Sequence, residues 1–195
     1  FVPEAKIVYK GPLAKQGNRM NQRLIRYSNK SLVASALLLF NLHLYAEESL
    51  DFGLQIQQDN RLVPDITYLV ADNYESKLDV IGPRPGSAPR PVLLYIHGGG
   101  WVGGSKDRMY LHFIPYLQMG MAVVNVGYRL CNVALAPAAV EDARCALRWV
   151  YNNADAYALD VSKIVVSGHS AGGHLSLTTG TLPADAGLDG RCPTR

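Results

Sequence analysis

Histidine is scarce in this 195-residue chain and stops early: there are five, and the last is His174. Cysteine is scarcer still. Cys131, Cys145 and Cys192 form an odd set whose spacing matches no metal-binding or redox pattern. That excludes a zinc ribbon, a thioredoxin-like motif and a disulfide-framework scaffold. The three read as buried free thiols, with Cys192 placed to find a partner beyond Arg195. Glycine and proline, 18 and 11 in number, show no period, so collagen-like and repeat architectures are excluded. Charged residues make up only 18% against 48% apolar, which excludes wholesale disorder and leaves enough apolar surface for one domain with a core.

Acidic residues are missing from one stretch. Residues 20–46 carry Arg23, Arg26 and Lys30 and no acid, a net of +3. Residues 1–19 carry Lys6, Lys10, Lys15 and Arg19 against Glu4, also +3. The whole chain is +3, so residues 47–195 are net −3, and the basic balance is no argument for nucleic-acid binding. The first methionine is Met20. After it come the basic residues, an apolar run from Leu32 to Tyr45, and then Ala46-Glu47-Glu48. That order has the parts of a secretory signal, and the run is too short for a lasting membrane span. The expected organisation is an upstream segment over 1–19, a signal peptide over 20–46 and the folded domain over 47–195. Export, to the outside or to a periplasm, is the consequence of that reading.

Within 47–195, Asp65 to Val70 alternates as a strand does, and Lys77 to Ile81 is its partner across a turn at Asp72-Asn73. Gly82 to Pro91 holds four prolines and reads as a loop. Val92 to Ile96, Met121 to Val126 and Ile164 to Ser167 are short continuous apolar runs, as expected for strands covered on both faces. Between them the pattern predicts helices over Arg108–Met119, Ala139–Asn152 and Ser170–Gly180. The second has Val140, Ala143, Leu147 and Val150 on one stripe and Pro137 before its start. Buried strands alternating with helices predict an α/β fold with a mostly parallel sheet and crossover helices. Glu141 and Asp142 read as acids favouring a helix N-terminus, and Arg108, Arg144 and Arg148 as solvated charges.

Two motifs carry chemistry. Gly168-His169-Ser170-Ala171-Gly172 comes directly after the Ile164–Ser167 strand, the pattern of a nucleophile elbow. A serine in a sharp strand-to-helix turn needs neighbours without side chains two positions either way. The helix that starts there points free amides at the reaction site. His97-Gly98-Gly99-Gly100-Trp101 closes the Val92–Ile96 strand, and its glycines let bare N–H groups approach a substrate oxygen. A phosphate cradle is the competing use of such a run. Gly103-Gly104-Ser105-Lys106 lacks the spacing for it.

With Tyr128-Arg129-Leu130 and the continuation Gly173-His174-Leu175, these motifs resemble the α/β-hydrolase esterases of the hormone-sensitive-lipase-like and feruloyl/acetylxylan-esterase-like groups, over about residues 62–183. The resemblance implies Ser170 as nucleophile and the amides of Gly99, Gly100 and Ala171 as an oxyanion hole. It makes His97 a loop-ordering residue, with Gly98, Trp101, Gly168 and Gly172 completing the motifs. It implies a small-molecule ester as partner, short acyl or aryl in kind, hydrolysed through an acyl-serine without metal or organic cofactor.

A serine nucleophile needs a base and an orienting carboxylate, in the chain order Ser, acid, His. No histidine comes after Ser170 except His174, on the same helix, and only Asp185 and Asp189 remain as acids. The expectation is therefore a C-terminally truncated hydrolase, with triad acid and base outside the chain and the Ile164–Ser167 strand left at a bare sheet edge. The alternatives are an arylformamidase-like amide hydrolase and a binding remnant of the fold that has lost its base.

Overall fold

The computed structural model describes residues 33–43 and 53–193. The chain divides into two units, Phe1–Gly53 and Leu54–Arg195. In the first, residues 33–43 form a helix. The expected segment 1–19, the rest of 20–46 and the cut near Glu47 lie outside the described residues. Among the described residues no helix is long and apolar enough to cross a membrane.

The second unit is built on the apolar runs. β1 (Asn60–Ala71) and β2 (Tyr74–Pro83) form an antiparallel hairpin. Their turn is made by Asp72 and Asn73, both at positive φ, a conformation these two residue types tolerate. β3 (Arg90–Ile96), β4 (Ala122–Val126) and β5 (Leu159–Gly168) complete a sheet of order β1-β2-β4-β3-β5. β3 pairs in parallel with both β4 and β5, while β2 meets β4 antiparallel. The fold is α/β with a mixed sheet. The parallel part is β4-β3-β5, and the hairpin's short turn forces β1 antiparallel to β2.

Period-2 geometry sorts the core. Val92, Leu94, Ile96, Val124 and Val126 pack on one face beneath α3 (Ala138–Asn152) and α5 (Ala171–Thr181), with Ala143, Val150 and Leu175. Leu93, Tyr95 and Val123 pack on the other with Ile81, Phe113 and Leu117. Each such side chain contributes about 1.5–3 kcal/mol by leaving water, so the two covered faces set the sheet's position. A short helix over residues 53–59 (α1) precedes the hairpin, and Ile56 packs against the second face.

The helix expected over Arg108–Met119 is instead two 3-10 turns, Lys106–Arg108 and Tyr110–Phe113, and then α2 (Ile114–Gln118). Pro115 has no N–H to extend an α-ladder backwards, so it begins a new helix rather than sitting inside one. The strands are longer than their apolar cores. β5 reaches back to Leu159, then turns at its end into α5. A four-residue helix, α4 (Ala154–Tyr157), joins α3 to β5. β5 stands at the sheet edge, with Val165 52% exposed.

The cysteine expectation is corrected. Cys145 on α3 and Cys192 form a disulfide, and the free thiol, Cys131, is exposed rather than buried. The segment after α5 folds back over α3, which brings residues 47 apart in sequence together. Arg144 is corrected with it. Its guanidinium donates to Asp189 from Nε at 2.6 Å and from Nη2 at 2.8 Å, and to the carbonyl of Leu182 at 2.8 Å.

Of the two acids expected to favour the start of α3, Glu141 lies in its first turn and Asp142 beyond it. Asp142 is fully buried, accepting from the Arg129 amide at 2.7 Å, Arg129 Nη2 at 2.5 Å and Ser76 Oγ at 3.0 Å. Arg129 also donates to Glu141 and to Asp72. Burial alone would lower the pKa of this guanidinium; its bonds to Asp142 and Glu141 outweigh that and raise it.

Candidate active site

The two motifs lie side by side because the strands that carry them, β3 and β5, are parallel neighbours ending together. Ile96 is opposite Gly168 in the register, so the chain leaves both strands at the same level. From β5 it turns at once into α5. Ser170 sits in that turn with φ 54° and ψ −117°, a region that L-residues rarely occupy. Its side chain is exposed, and its carbonyl accepts from the His174 amide at 3.2 Å.

The glycines flanking Ser170 are present because the elbow is pressed against the end of β3. A Cβ on Gly168 would stand 2.5 Å from the carbonyl oxygen of Ile96 and 2.5 Å from the backbone of Gly172. A Cβ on Gly172 would overlap the same Ile96 oxygen and approach the His97 oxygen to 2.7 Å. The His-Gly-Gly-Gly loop touches the elbow as well. A Cβ on Gly98 would stand 2.5 Å from the His169 carbonyl oxygen.

That loop is folded on itself. Val102 and Gly103 amides donate to the Gly99 carbonyl at 3.2 and 3.0 Å. Gly99 and Gly100 have φ of 129° and 60°, the left-handed side. Among the described residues the amides of Gly99, Gly100 and Ala171 are given to no carbonyl or side chain. All three lie on the segments that leave β3 and β5.

His97 is buried, its ring stacked on Tyr128 at 4.4 Å between centroids, with Nδ1 2.8 Å from the Gly98 oxygen. Tyr128 Oη donates to the His97 carbonyl at 3.1 Å. Burial holds the His97 pKa below its ordinary value, so the ring is neutral at pH 7. Trp101, at φ 62°, sets its ring edge-on to His174 at 5.4 Å and is 42% exposed. A cavity of about 430 Å³ opens here, with Gly100, Trp101, Cys131, Pro137 and His174 among its walls.

No side chain among the described residues hydrogen-bonds Ser170 Oγ. His112 lies in the 3-10 turn on the far face of the sheet, and Asp189 is committed to Arg144. No group of three or more His, Cys, Asp or Glu among the described residues is placed to hold a metal ion.

Two clusters escaped sequence reasoning. One is the Arg129–Asp142 network, for which the acidic pair about thirteen residues after Tyr128-Arg129-Leu130 was the signal. The other joins Lys106 to Asp79, and its signal was a lone carboxylate inside the apolar run Leu78 to Ile81.

Residues 78–195 match the BD-FAE family. The carboxylesterase NlhH of Mycobacterium tuberculosis is 40% identical over 98 residues, which are 50% of this chain and 31% of that protein. A solved structure titled Bacterial Heroin Esterase superposes with a TM-score of 0.57 at 30% identity, covering 73% of this chain and 46% of its own. The thermophilic esterase Est2 of Thermogutta terrifontis, solved with propionate bound, superposes at 0.53 and 34% identity, covering 57% and 43%. The chain thus spans less than half the length of these relatives. The chain belongs to the BD-FAE family, among the hormone-sensitive-lipase-like α/β-hydrolases.

Proposed function

We propose that this chain carries the nucleophile and the oxyanion-binding amides of a serine carboxylic-ester hydrolase acting on short acyl or aryl esters. The observation that carries the reading is Ser170, held at positive φ at the start of α5 and beside a glycine loop with uncommitted amides. Ser170 Oγ attacks the ester carbonyl carbon while a general base takes its proton. The carbonyl oxygen becomes an oxyanion, accepting from the Gly99, Gly100 and Ala171 amides, each such donor lowering the barrier by about 3–4 kcal/mol. The C–O bond to the alcohol then breaks, the alcohol leaves with the proton, and water hydrolyses the acyl-serine by the reverse sequence. The base and its orienting acid are assigned to no residue of this chain.

The printed names of the relatives, a carboxylesterase and esterases, support ester hydrolysis, and the propionate bound in one of them supports a short acyl group. The Cys145–Cys192 disulfide supports a place outside the reducing cytoplasm, in keeping with the signal-like residues 20–46.

In the full-length protein a fluorophosphonate probe labels Ser170, and Ser170→Ala loses the label together with hydrolysis of p-nitrophenyl acetate. Wild-type protein that is neither labelled nor active overturns the reading. A preference for the decanoate over the acetate overturns the short-acyl part alone.

A further inference from the structure

The amides proposed to bind the oxyanion sit on a loop, and a loop holds a position only if something outside it fixes its ends. The N-terminal end is fixed by β3. The loop then closes on itself. Gly99 accepts from Val102 and Gly103, and a Cβ on Gly104 would overlap the Gly98 carbonyl and stand 2.8 Å from His97 Nδ1. Residues 98 and 99 therefore sit where residues 103 and 104 put them. Residue 104 is held in turn by its C-terminal neighbours.

Those neighbours, Ser105-Lys106-Asp107, are tied at both main chain and side chain. The Lys106 carbonyl accepts from Asn125 Nδ2 at 2.9 Å, and Asn125 is fully buried on β4. The Lys106 ammonium donates in three directions: to Asp79 Oδ1 at 2.8 Å, Asp65 Oδ1 at 2.8 Å and Asp107 Oδ1 at 3.1 Å. Asp79 is fully buried on β2 and accepts from the Asp65 amide at 2.9 Å, Tyr110 Oη at 2.7 Å and Asn125 Nδ2 at 3.3 Å. Asp65 reaches the cluster through a bulge in β1, between Val63 and Ile66, where its φ is 56°. Strands β1, β2 and β4 thus all grip one residue of the loop's C-terminal end.

Stability alone is a weak reason for such a group. Taking an ammonium and a carboxylate out of water is costly, and apolar residues of the same volume commonly stabilise a fold as well. An apolar side chain at position 106 would fill the space without fixing direction, whereas an ammonium with three acceptors admits one position. Burial alone would lower the Lys106 pKa; the bonds to Asp65, Asp79 and Asp107 together raise it above its ordinary value, so the cation persists at any working pH.

We infer that the Lys106–Asp79 pair is a positioning device for the oxyanion loop, acting through Gly104 and Gly103 on the amides of Gly99 and Gly100. The inference rests on the esterase reading. Lys106 touches no substrate; its effect is on where the donors stand when charge develops on the carbonyl oxygen. A displacement of about 1 Å in such donors costs roughly 100-fold in rate. Because the donors act on the transition state and not on the bound ester, the loss falls on kcat and leaves KM nearly alone.

The test uses the full-length protein with three variants, Lys106→Met, Lys106→Arg and Tyr110→Phe. Ser170 labelling and p-nitrophenyl acetate turnover by wild type are measured first, and their absence overturns the esterase reading and this inference together. With those in place, Lys106→Met is expected to lower kcat about 100-fold at near-constant KM. Lys106→Arg, which keeps the cation, recovers part of it. An aryl trifluoromethyl ketone, whose adduct with the serine carries the same oxyanion, loses affinity in parallel with kcat. A folded Lys106→Met protein with wild-type kcat and ketone affinity, or one changed in KM alone, overturns the inference and leaves the esterase reading standing. If Lys106→Met does not fold, Tyr110→Phe decides. It removes one bond to Asp79 at a half-buried site, and a parallel several-fold fall in kcat and ketone affinity supports the device. No change in either overturns it.

Discussion

A Cβ on Gly172, in the first turn of the helix that begins after Ser170, would overlap the carbonyl oxygen of Ile96, the last residue of β3. The obstacle to any larger residue is backbone, which cannot swing aside as a flexible side chain can. Gly168 meets the same oxygen, at 2.5 Å from a Cβ it does not have. Gly172→Ala and Gly168→Ala are therefore each expected to destabilise the protein, by about 1–3 kcal/mol. Activity should fall with them, because the elbow is pushed away from the glycine loop. Urea midpoints together with p-nitrophenyl acetate rates check this, and a fully stable, fully active Gly172→Ala would refute the packing argument.

Ser170 itself is a strained residue, at φ 54° and ψ −117°. Glycine occupies that region freely, so Ser170→Gly should raise stability by about 1–3 kcal/mol while abolishing turnover. Ser170→Ala keeps the Cβ and with it the strain, so it loses activity without the gain. Thermal melts of the two variants, compared with wild type, separate strain from any effect of the hydroxyl.

The disulfide makes a chemical prediction. In the native oxidised protein iodoacetamide should alkylate exposed Cys131, and Cys145 and Cys192 only after reduction and unfolding. Cys192→Ser should lower stability by about 2–4 kcal/mol, since it releases the segment that covers α3. Mass spectrometry of the alkylated peptides reads the first effect and chemical denaturation the second.

His97 predicts a pH dependence. Its ordinary pKa of 6.5 is lowered in the fold by burial, so below pH 6.5 the unfolded chain binds a proton that the folded chain refuses. Stability should fall as pH drops from about 7 through that range and level off once the native ring protonates. His97→Gln flattens this slope. Asp189, held below its ordinary 3.8 by its hydrogen bonds to Arg144, contributes a separate loss at lower pH. Denaturation midpoints between about pH 8 and pH 2 distinguish the two.

Much of this protein is legible one residue at a time. The apolar runs Val92–Ile96 and Met121–Val126 announce covered strands because strand side chains alternate, so an uninterrupted run must bury both faces. The α/β class is a consequence, and the hairpin turn at Asp72-Asn73, the helix after Pro137 and the two glycine motifs are legible too, since each rests on local backbone preference. Less local features were beyond reach. The helix over Arg108–Met119 failed because one proline outweighed a favourable pattern.

Which distant residues share a space is a property of the assembled domain. Nothing near Cys145 points to Cys192, nothing near Arg144 to Asp189, and nothing near Lys106 to Asp79 and Asp65, because those pairs form only when sheet order and crossovers bring them together. The strand type and the residues able to make an elbow and a bare-amide loop follow from sterics acting within a few positions of the sequence. That β3 and β5 are neighbours, and so set the elbow beside the loop with Gly172 under Ile96, was settled by packing, a balance over the whole domain that no short window of sequence contains.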